Sequence, residues 1–200
     1  MTGRRMEAFS DGVIAILITI MVLELHRPPG PSFADLRAVY PSMLAYVLSF
    51  VYLGIYWNNH HHLLMTVRKV SGAMLWANLA LLFALSLFPF ATSWMSENGF
   101  ATDTVAFYGI VFAMAAMAYT ILQIVIVRSH GSDLRLKNAF GRDLKAKFSF
   151  GAYLVAIPLA FVFRWGSIAI FSVVATLWFI PDRRLQNFVE STSGTTDESE

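Results

Sequence analysis

The sequence predicts an all-α membrane protein with six transmembrane helices per subunit and both termini in the cytoplasm. Three observations carry that reading. Hydrophobic residues make up 56% of the 200 residues and charged ones only 14%, and the mean hydropathy of +0.57 is far too high for an ordinary soluble domain. The apolar residues gather into six stretches, approximately 4–25, 38–65, 72–96, 104–127, 147–163 and 165–180, none of which alternates like a barrel strand. Of the fifteen Lys and Arg residues, all but Arg27, Arg37 and Arg164 fall on one side of these stretches, which by the positive-inside rule is the cytoplasm.

The first stretch is the most informative. Arg5-Met6-Glu7-Ala8-Phe9-Ser10-Asp11-Gly12 runs without a break into Val13–Leu23. Gly12 to Leu23 would span only about 18 Å of helix, against a hydrocarbon core of about 30 Å, so the charged part must belong to the spanning helix. Ionised groups facing lipid are costly, so these residues are expected to face protein or water. No small-x-small cleavage site follows, and Leu25-His26-Arg27-Pro28-Pro29 reads as the end of a retained helix. Pro28-Pro29-Gly30-Pro31 breaks the chain after the first helix, Glu97-Asn98-Gly99 after the third and Pro181-Asp182 after the sixth. Phe148–Ile180 is too long for one span and is interrupted by Arg164-Trp165-Gly166, which predicts a tight helical hairpin. Trp76, Trp94, Trp165 and Trp178 fall near span ends, as interfacial tryptophans do. The membrane unit is read as residues 1–182. Residues 183–200 form a polar cytoplasmic tail with nothing to bury, expected to be disordered. The Lys- and Arg-rich segment Asp133–Lys147 reads first as a solvated loop that sets topology, and second as a helix on the anionic leaflet.

Under this topology three polar clusters share one level of the membrane. Arg5 to Asp11 open the first helix, Trp57-Asn58-Asn59-His60-His61-His62 lie in the last third of the second, and Asn78 lies two turns into the third. Polar side chains in lipid seek one another. The expected network sets Arg5 against Asp11 or Glu7 and His60 against Ser10 or Asp11, with Asn78 bridging. The plain alternative is that it only holds helices in register. Other chemistries are poorly supplied. The absence of cysteine removes disulfides, thiolate metal sites and cysteine nucleophiles. Adjacent His60, His61 and His62 point about 100° apart, so no two form an i, i+4 chelating pair, and no metal is expected. Ser10, Asp11 and His60 have the residue types of a hydrolytic triad but no nucleophile elbow, and no Gly-rich phosphate loop or HExxH is present. The sequence gives no enzyme signal and no cofactor. A net charge of +2 gives no case for nucleic acid.

Above Asp11, residues Ile16, Ile20 and Leu23 fall at i, i+4 and i+7 and form one stripe, with Thr19 beside it and Asp11 and Ala15 below it on roughly the same face. Any apolar helix carries such a stripe, and alone it predicts packing. Over a polar cluster, and repeated around a symmetry axis, it makes a hydrophobic constriction lined also by Thr19 and Asp11. Six short helices do not enclose a central pore alone, so a homo-oligomer follows.

The residues Arg5-x-x-x-Phe9-Ser10-Asp11-Gly12 heading the first of six spans, followed by Thr19 and a Leu/Glu end, resemble the signature of the transmembrane protein 175 family. Tyr56-Trp57-Asn58-Asn59-His60-His61 and Asn78 followed by Leu79, Leu82, Leu85 and Pro89 strengthen the likeness. It is most specific in spans one to three and no more than hydropathy beyond. What the resemblance implies is a homotetramer of single six-helix units in a bacterial cell (inner) membrane. Such a protein is a potassium-permeable cation channel, favouring potassium over sodium, whose first helix lines a central pore without a carbonyl filter. It further implies Ile16 at the main constriction, Ile20 and Leu23 as further rings, and Arg5, Phe9, Ser10, Asp11, Trp57, His60 and Asn78 as the supporting network, with potassium as permeant ion rather than cofactor. A rival reading is a proton-coupled transporter relaying protons through Asp11 and His60.

Overall fold

The computed structural model describes residues 3–67, 69–129 and 144–179. The expected break at Pro181-Asp182, the polar tail and most of the basic segment before Lys147 lie outside the described residues.

Helix α1 spans Gly3–Leu23, about 31 Å at the usual rise and enough to cross a hydrocarbon core. The charged segment is therefore part of the spanning helix, as its length required. Gly3, Met6, Ser10, Ile14, Leu17 and Met21 are its buried residues, a helical i, i+3/i+4 stripe that turns one face onto the rest of the chain. The helix begins close to the end of α2, where a side chain on Gly3 would run into the Val67 carbonyl. After the Pro-rich connection, Ser32 and Asp35 form a capping box. The Ser32 hydroxyl accepts from the Ala34 amide at 2.9 Å, and the Asp35 carboxylate accepts from the Ser32 amide at 2.9 Å. This box opens the short 3-10 turn Phe33–Asp35, which leads into α2, Leu36–Met65.

The third expected span is bent. It consists of α3, Gly72–Ser86, and α4, Phe88–Glu97, meeting at Leu87. Pro89 has no amide to give the Leu85 carbonyl, and the Leu87 amide instead bonds three residues back to Ala84 at 3.3 Å. The sequence treated 72–96 as one stretch because hydropathy is blind to a local change of ladder. Helix α4 ends at Glu97, and Gly99 and Phe100 both take positive φ, near 58° and 59°, so that the Phe100 amide closes on the Met95 carbonyl at 2.9 Å. Helix α5, Thr102–Ser129, follows.

The last stretch, Leu144–Phe179, breaks at Phe163 (φ −151°, ψ 82°) into α6, 144–162, and α7, 164–179. The Ser167 hydroxyl donates to the Ala156 carbonyl at 2.7 Å, and the Trp178 indole donates to the Ser149 hydroxyl at 2.9 Å. Residues 149 and 178 would stand about 44 Å apart in one straight helix, so α6 and α7 run antiparallel, the expected hairpin. Among the described residues five stretches are long and apolar enough to cross a membrane, the last of them, Lys145–Trp178, being this doubled pair.

The buried core draws on every helix, α1 and α3 included, and its part among α2, α4, α5, α6 and α7 is aromatic. Phe112 on α5 is its centre, with ring centroids at 4.0 Å from Tyr52, 5.1 Å from Phe88 and 5.1 Å from Phe171. Several of its hydroxyls pair within it. Ser49 bonds to Thr92 at 2.7 Å and to Tyr108 at 2.6 Å, and Tyr52 donates to the Phe171 carbonyl at 2.6 Å. Buried donors in lipid have no other recourse. Helix α1 packs on α2, α3 and α4 and gives Met6, Ile14, Leu17 and Met21 to this core.

Candidate functional site

The interface of α1, α2 and α3 carries a linear hydrogen-bond chain. His60 is fully buried and its Nε2 lies 2.7 Å from Asn78 Oδ1, while Asn78 Nδ2 donates to Ser10 Oγ at 2.9 Å and Ser10 donates to the Met6 carbonyl at 2.8 Å. With the Asn78 amide spent on Ser10, its carbonyl is an acceptor, so the imidazole carries its proton on Nε2. His60 Nδ1 has no partner among the described residues. Asn78 is thus the bridge that the sequence places it to be. The refinement is that His60 reaches Ser10 only through that amide.

A second, more exposed layer joins α1 to α2 alone. The Trp57 indole donates to Asp11 Oδ1 at 3.0 Å, and His61 Nδ1 stands 2.8 Å from Glu7 Oε1. Trp57 and His61 stack with centroids 6.1 Å apart. His61 is therefore part of the cluster, whereas His62 bonds to the Asn58 carbonyl of its own helix at 2.7 Å. The pairing of Glu7 with His61 is the contact that residue spacing did not foretell. It joins residues 54 positions apart in sequence, and of three consecutive histidines only the packing of α1 on α2 selects which one faces Glu7.

Arg5 and Phe9 stand elsewhere. Both are exposed, Phe9 at 53%, and among the described residues no ion pair joins Arg5 to Glu7 or Asp11. Helical geometry explains it. Arg5 lies on the face opposite the buried stripe, whereas Glu7 and Asp11 flank α2. The same geometry moves Asp11 from beneath the Ile16 stripe, since five residues rotate it by about 140° from Ile16, and its carboxylate is held by Trp57. Ser10, Asp11 and His60 also fail to meet as a triad. The Ser10 hydroxyl serves Met6 and Asn78, the Asp11 carboxylate serves Trp57, and His60 serves Asn78.

On the outward face of α1 the apolar stripe is open. Ile16 is 58% exposed, Ile20 38% and Leu23 80%, with Gly12 and Thr19 exposed beside them. The Thr19 hydroxyl donates to the Ile16 carbonyl at 2.8 Å, which leaves its oxygen lone pairs outward. At the far end of α1, Ser93 donates to Glu97 Oε1 at 2.6 Å and lies 3.4 Å from Glu24 Oε2.

A multi-span α-helical membrane protein, with a polar clamp fixing its first helix and an apolar stripe left bare on that helix, is the class these features define. The chain belongs to the TMEM175 family. Residues 5–89 match the family profile described as endosomal/lysosomal potassium channel TMEM175, and those residues contain the whole clamp. A protein of Chryseobacterium sp. (strain P1-3), named a potassium channel, is 52% identical over 186 residues, covering 93% of this chain and 97% of that one. One of Streptomyces collinus, also named a potassium channel, is 34% identical over 169 residues, covering 79% and 82%. The crystal structure of a lysosomal potassium-selective channel TMEM175 homolog from Chamaesiphon minutus superposes with a TM-score of 0.72 at 29% identity, covering 89% of this chain and 96% of that one.

Proposed function

We propose that this chain forms a homotetrameric potassium channel in a bacterial inner membrane, with both termini cytoplasmic and α1 of each copy lining one central conduit. The observation that carries the reading is the division of α1 into two faces. One is buried and pinned by Ser10, Asn78 and His60. The other bears Ile16, Thr19, Ile20 and Leu23, all exposed among the described residues. Arg5 and Phe9 share that outward side and meet neighbouring copies, while Asp11, held by Trp57, serves the frame that orients α1 more than the conduit itself.

The chemistry follows from what the stripe lacks. Four isoleucines at one level offer no oxygen ligands, so a cation passing Ile16 sheds part of its hydration without replacement, and the penalty is larger for the more tightly hydrated sodium than for potassium. The same ring closes by dewetting with little movement, so gate and selector coincide. Ile20 and Leu23 extend the dry section outward, and Glu24 at the mouth raises the local cation concentration. The proton-relay alternative loses its central contact, because His60 and Asp11 each bond to a different group.

The test is Ile16→Asn in reconstituted bilayers under potassium and sodium bi-ionic conditions. Four amides wet the ring, so conductance is expected to rise and the reversal potential to move toward equal permeability. An unchanged permeability ratio would remove Ile16 from the constriction.

A further inference from the structure

Gly12 is unfavourable where it stands. It lies inside α1 with no positive φ to require it, and glycine in a helix interior is less stable than alanine. Space does not require it either. A Cβ on Gly12 would meet nothing within 4 Å, whereas one on Gly3 would strike the Val67 carbonyl and one on Gly166 the Phe163 ring. The packing of the subunit explains Gly3 and Gly166 but not Gly12. Gly151 on α6 is just as open, so openness alone assigns no role, and position decides.

Gly12 precedes Ile16 by four residues, which sets it about 6 Å toward the cytoplasmic end and about 40° around the helix, on the bare face. Beyond Ile16 that face continues with Ile20 and Leu23, both large, apolar and exposed. Before Ile16 it is stripped down. Of residues 10–15 only Gly12 and Ala15 are exposed, and the next large side chain on that side is Phe9, about 10 Å below the isoleucine. A helical side chain also covers the turn N-terminal to its own Cα. Where it is missing, the main chain of that turn stays open to water.

Taking α1 as the lining of a central conduit, a reading on which the assignment rests, we propose that Gly12 is a conductance-determining residue that keeps a hydrated chamber directly beneath the Ile16 constriction. Four glycines at one level leave the bore wide and its wall polar, so a potassium ion holds its water until it meets Ile16. The dry section thereby has a fixed lower edge. A further ring of apolar side chains would lengthen the stretch over which hydration is lost without replacement. The substitution that steadies the helix thus obstructs the ion, a conflict between stability and conduction.

The experiment compares unitary potassium currents of full-length Gly12→Ala, Gly12→Val and Gly12→Thr in reconstituted bilayers, with thermal unfolding and size-exclusion chromatography of the same preparations in detergent. Gly12→Ala is expected to unfold at or above the wild-type midpoint while carrying a smaller unitary current. Gly12→Val should lower unitary conductance by about tenfold, equivalent to about 1.4 kcal/mol of added barrier. Valine and threonine share a shape and a similar helix propensity, but threonine keeps oxygen lone pairs outward, as Thr19 does after donating to the Ile16 carbonyl at 2.8 Å. Gly12→Thr should therefore conduct severalfold better than Gly12→Val. Equal currents in Gly12→Val and Gly12→Thr would overturn the proposal, whether at the wild-type level or below it. Loss of the wild-type elution volume in Gly12→Ala would also overturn it, because Gly12 would then mark a close approach between copies. Ile16→Asn in the same bilayers keeps the two readings apart. A shifted permeability ratio there, beside equal currents in Gly12→Val and Gly12→Thr, overturns the role of Gly12 alone, whereas an unchanged ratio removes Ile16 from the constriction and the chamber with it.

Discussion

At the scale of single residues, Asn78 decides the geometry of α1. Its amide satisfies a donor on α2 and an acceptor on α1 at once, and both partners are fully buried. Removing it strands the His60 Nε2 proton in an apolar interior, so Asn78→Leu, close in volume, should lower stability by about 1–3 kcal/mol. The midpoint of thermal unfolding in detergent measures this, and a change within the error of the wild-type midpoint would mean the chain of bonds is not what fixes α1. His60→Phe in the Asn78→Leu background should recover part of the loss, since it removes the stranded donor. Much of this site was legible in the sequence, because Ser10, His60 and Asn78 are polar residues in apolar stretches and the topology sets them at one depth. The direction of each bond was not legible. It depends on rotation about the helix axes, and that is why Arg5 turns outward, Asp11 turns to Trp57 and Glu7 meets His61.

At the scale of elements, the two places where the chain departs from straight helices have different causes. The bend at Leu87 is chemical, since Pro89 withholds an amide. The hairpin at Phe163 is a matter of space. The sequence marks the interruption with Arg164-Trp165-Gly166, but not the packing that demands a glycine. A Cβ on Gly166 would lie 2.6 Å from Phe163 Cδ1 and 3.3 Å from Leu159 Cδ2, whereas one on Gly151 meets nothing within 4 Å. Gly166→Ala therefore forces the Phe163 ring aside and should destabilise by about 1–3 kcal/mol. Gly151→Ala, in mid-helix with open space, should be neutral or stabilising by up to about 1 kcal/mol. The pair is compared by thermal unfolding, and equal behaviour of the two variants would show that the turn relaxes without cost. Hydropathy located the breaks after the first, third and fifth apolar stretches well, because Pro28-Pro29-Gly30-Pro31, Glu97-Asn98-Gly99 and Arg164-Trp165-Gly166 mark them. It could not divide 72–96 into two helices, because both halves are equally apolar.

At the scale of the whole molecule, the subunit presents a helix that is anchored by one face and bare on the other, and a central conduit requires that the bare faces of four copies converge. Hydropathy gives the same signal for an Ile16 that faces an axis and one that faces acyl chains, which is why the sequence argues for an oligomer from the number of helices and takes its fourfold form from family resemblance. The cysteine-free sequence offers a direct discrimination. In an Ile16→Cys protein, convergence places four thiols around one axis, where a soft cation such as Cd²⁺ or Ag⁺ is bound by several thiolates together. Micromolar-range block of potassium current that reverses on chelation of Cd²⁺ is the expected outcome. Val155→Cys on α6 is the control, since Val155 is equally exposed, at 60%, but belongs to a helix outside the proposed pore lining, and its currents should be insensitive. Matching sensitivity of the two variants, or none in either, would mean that α1 does not surround the ion path and that the exposed Ile16, Ile20 and Leu23 face lipid.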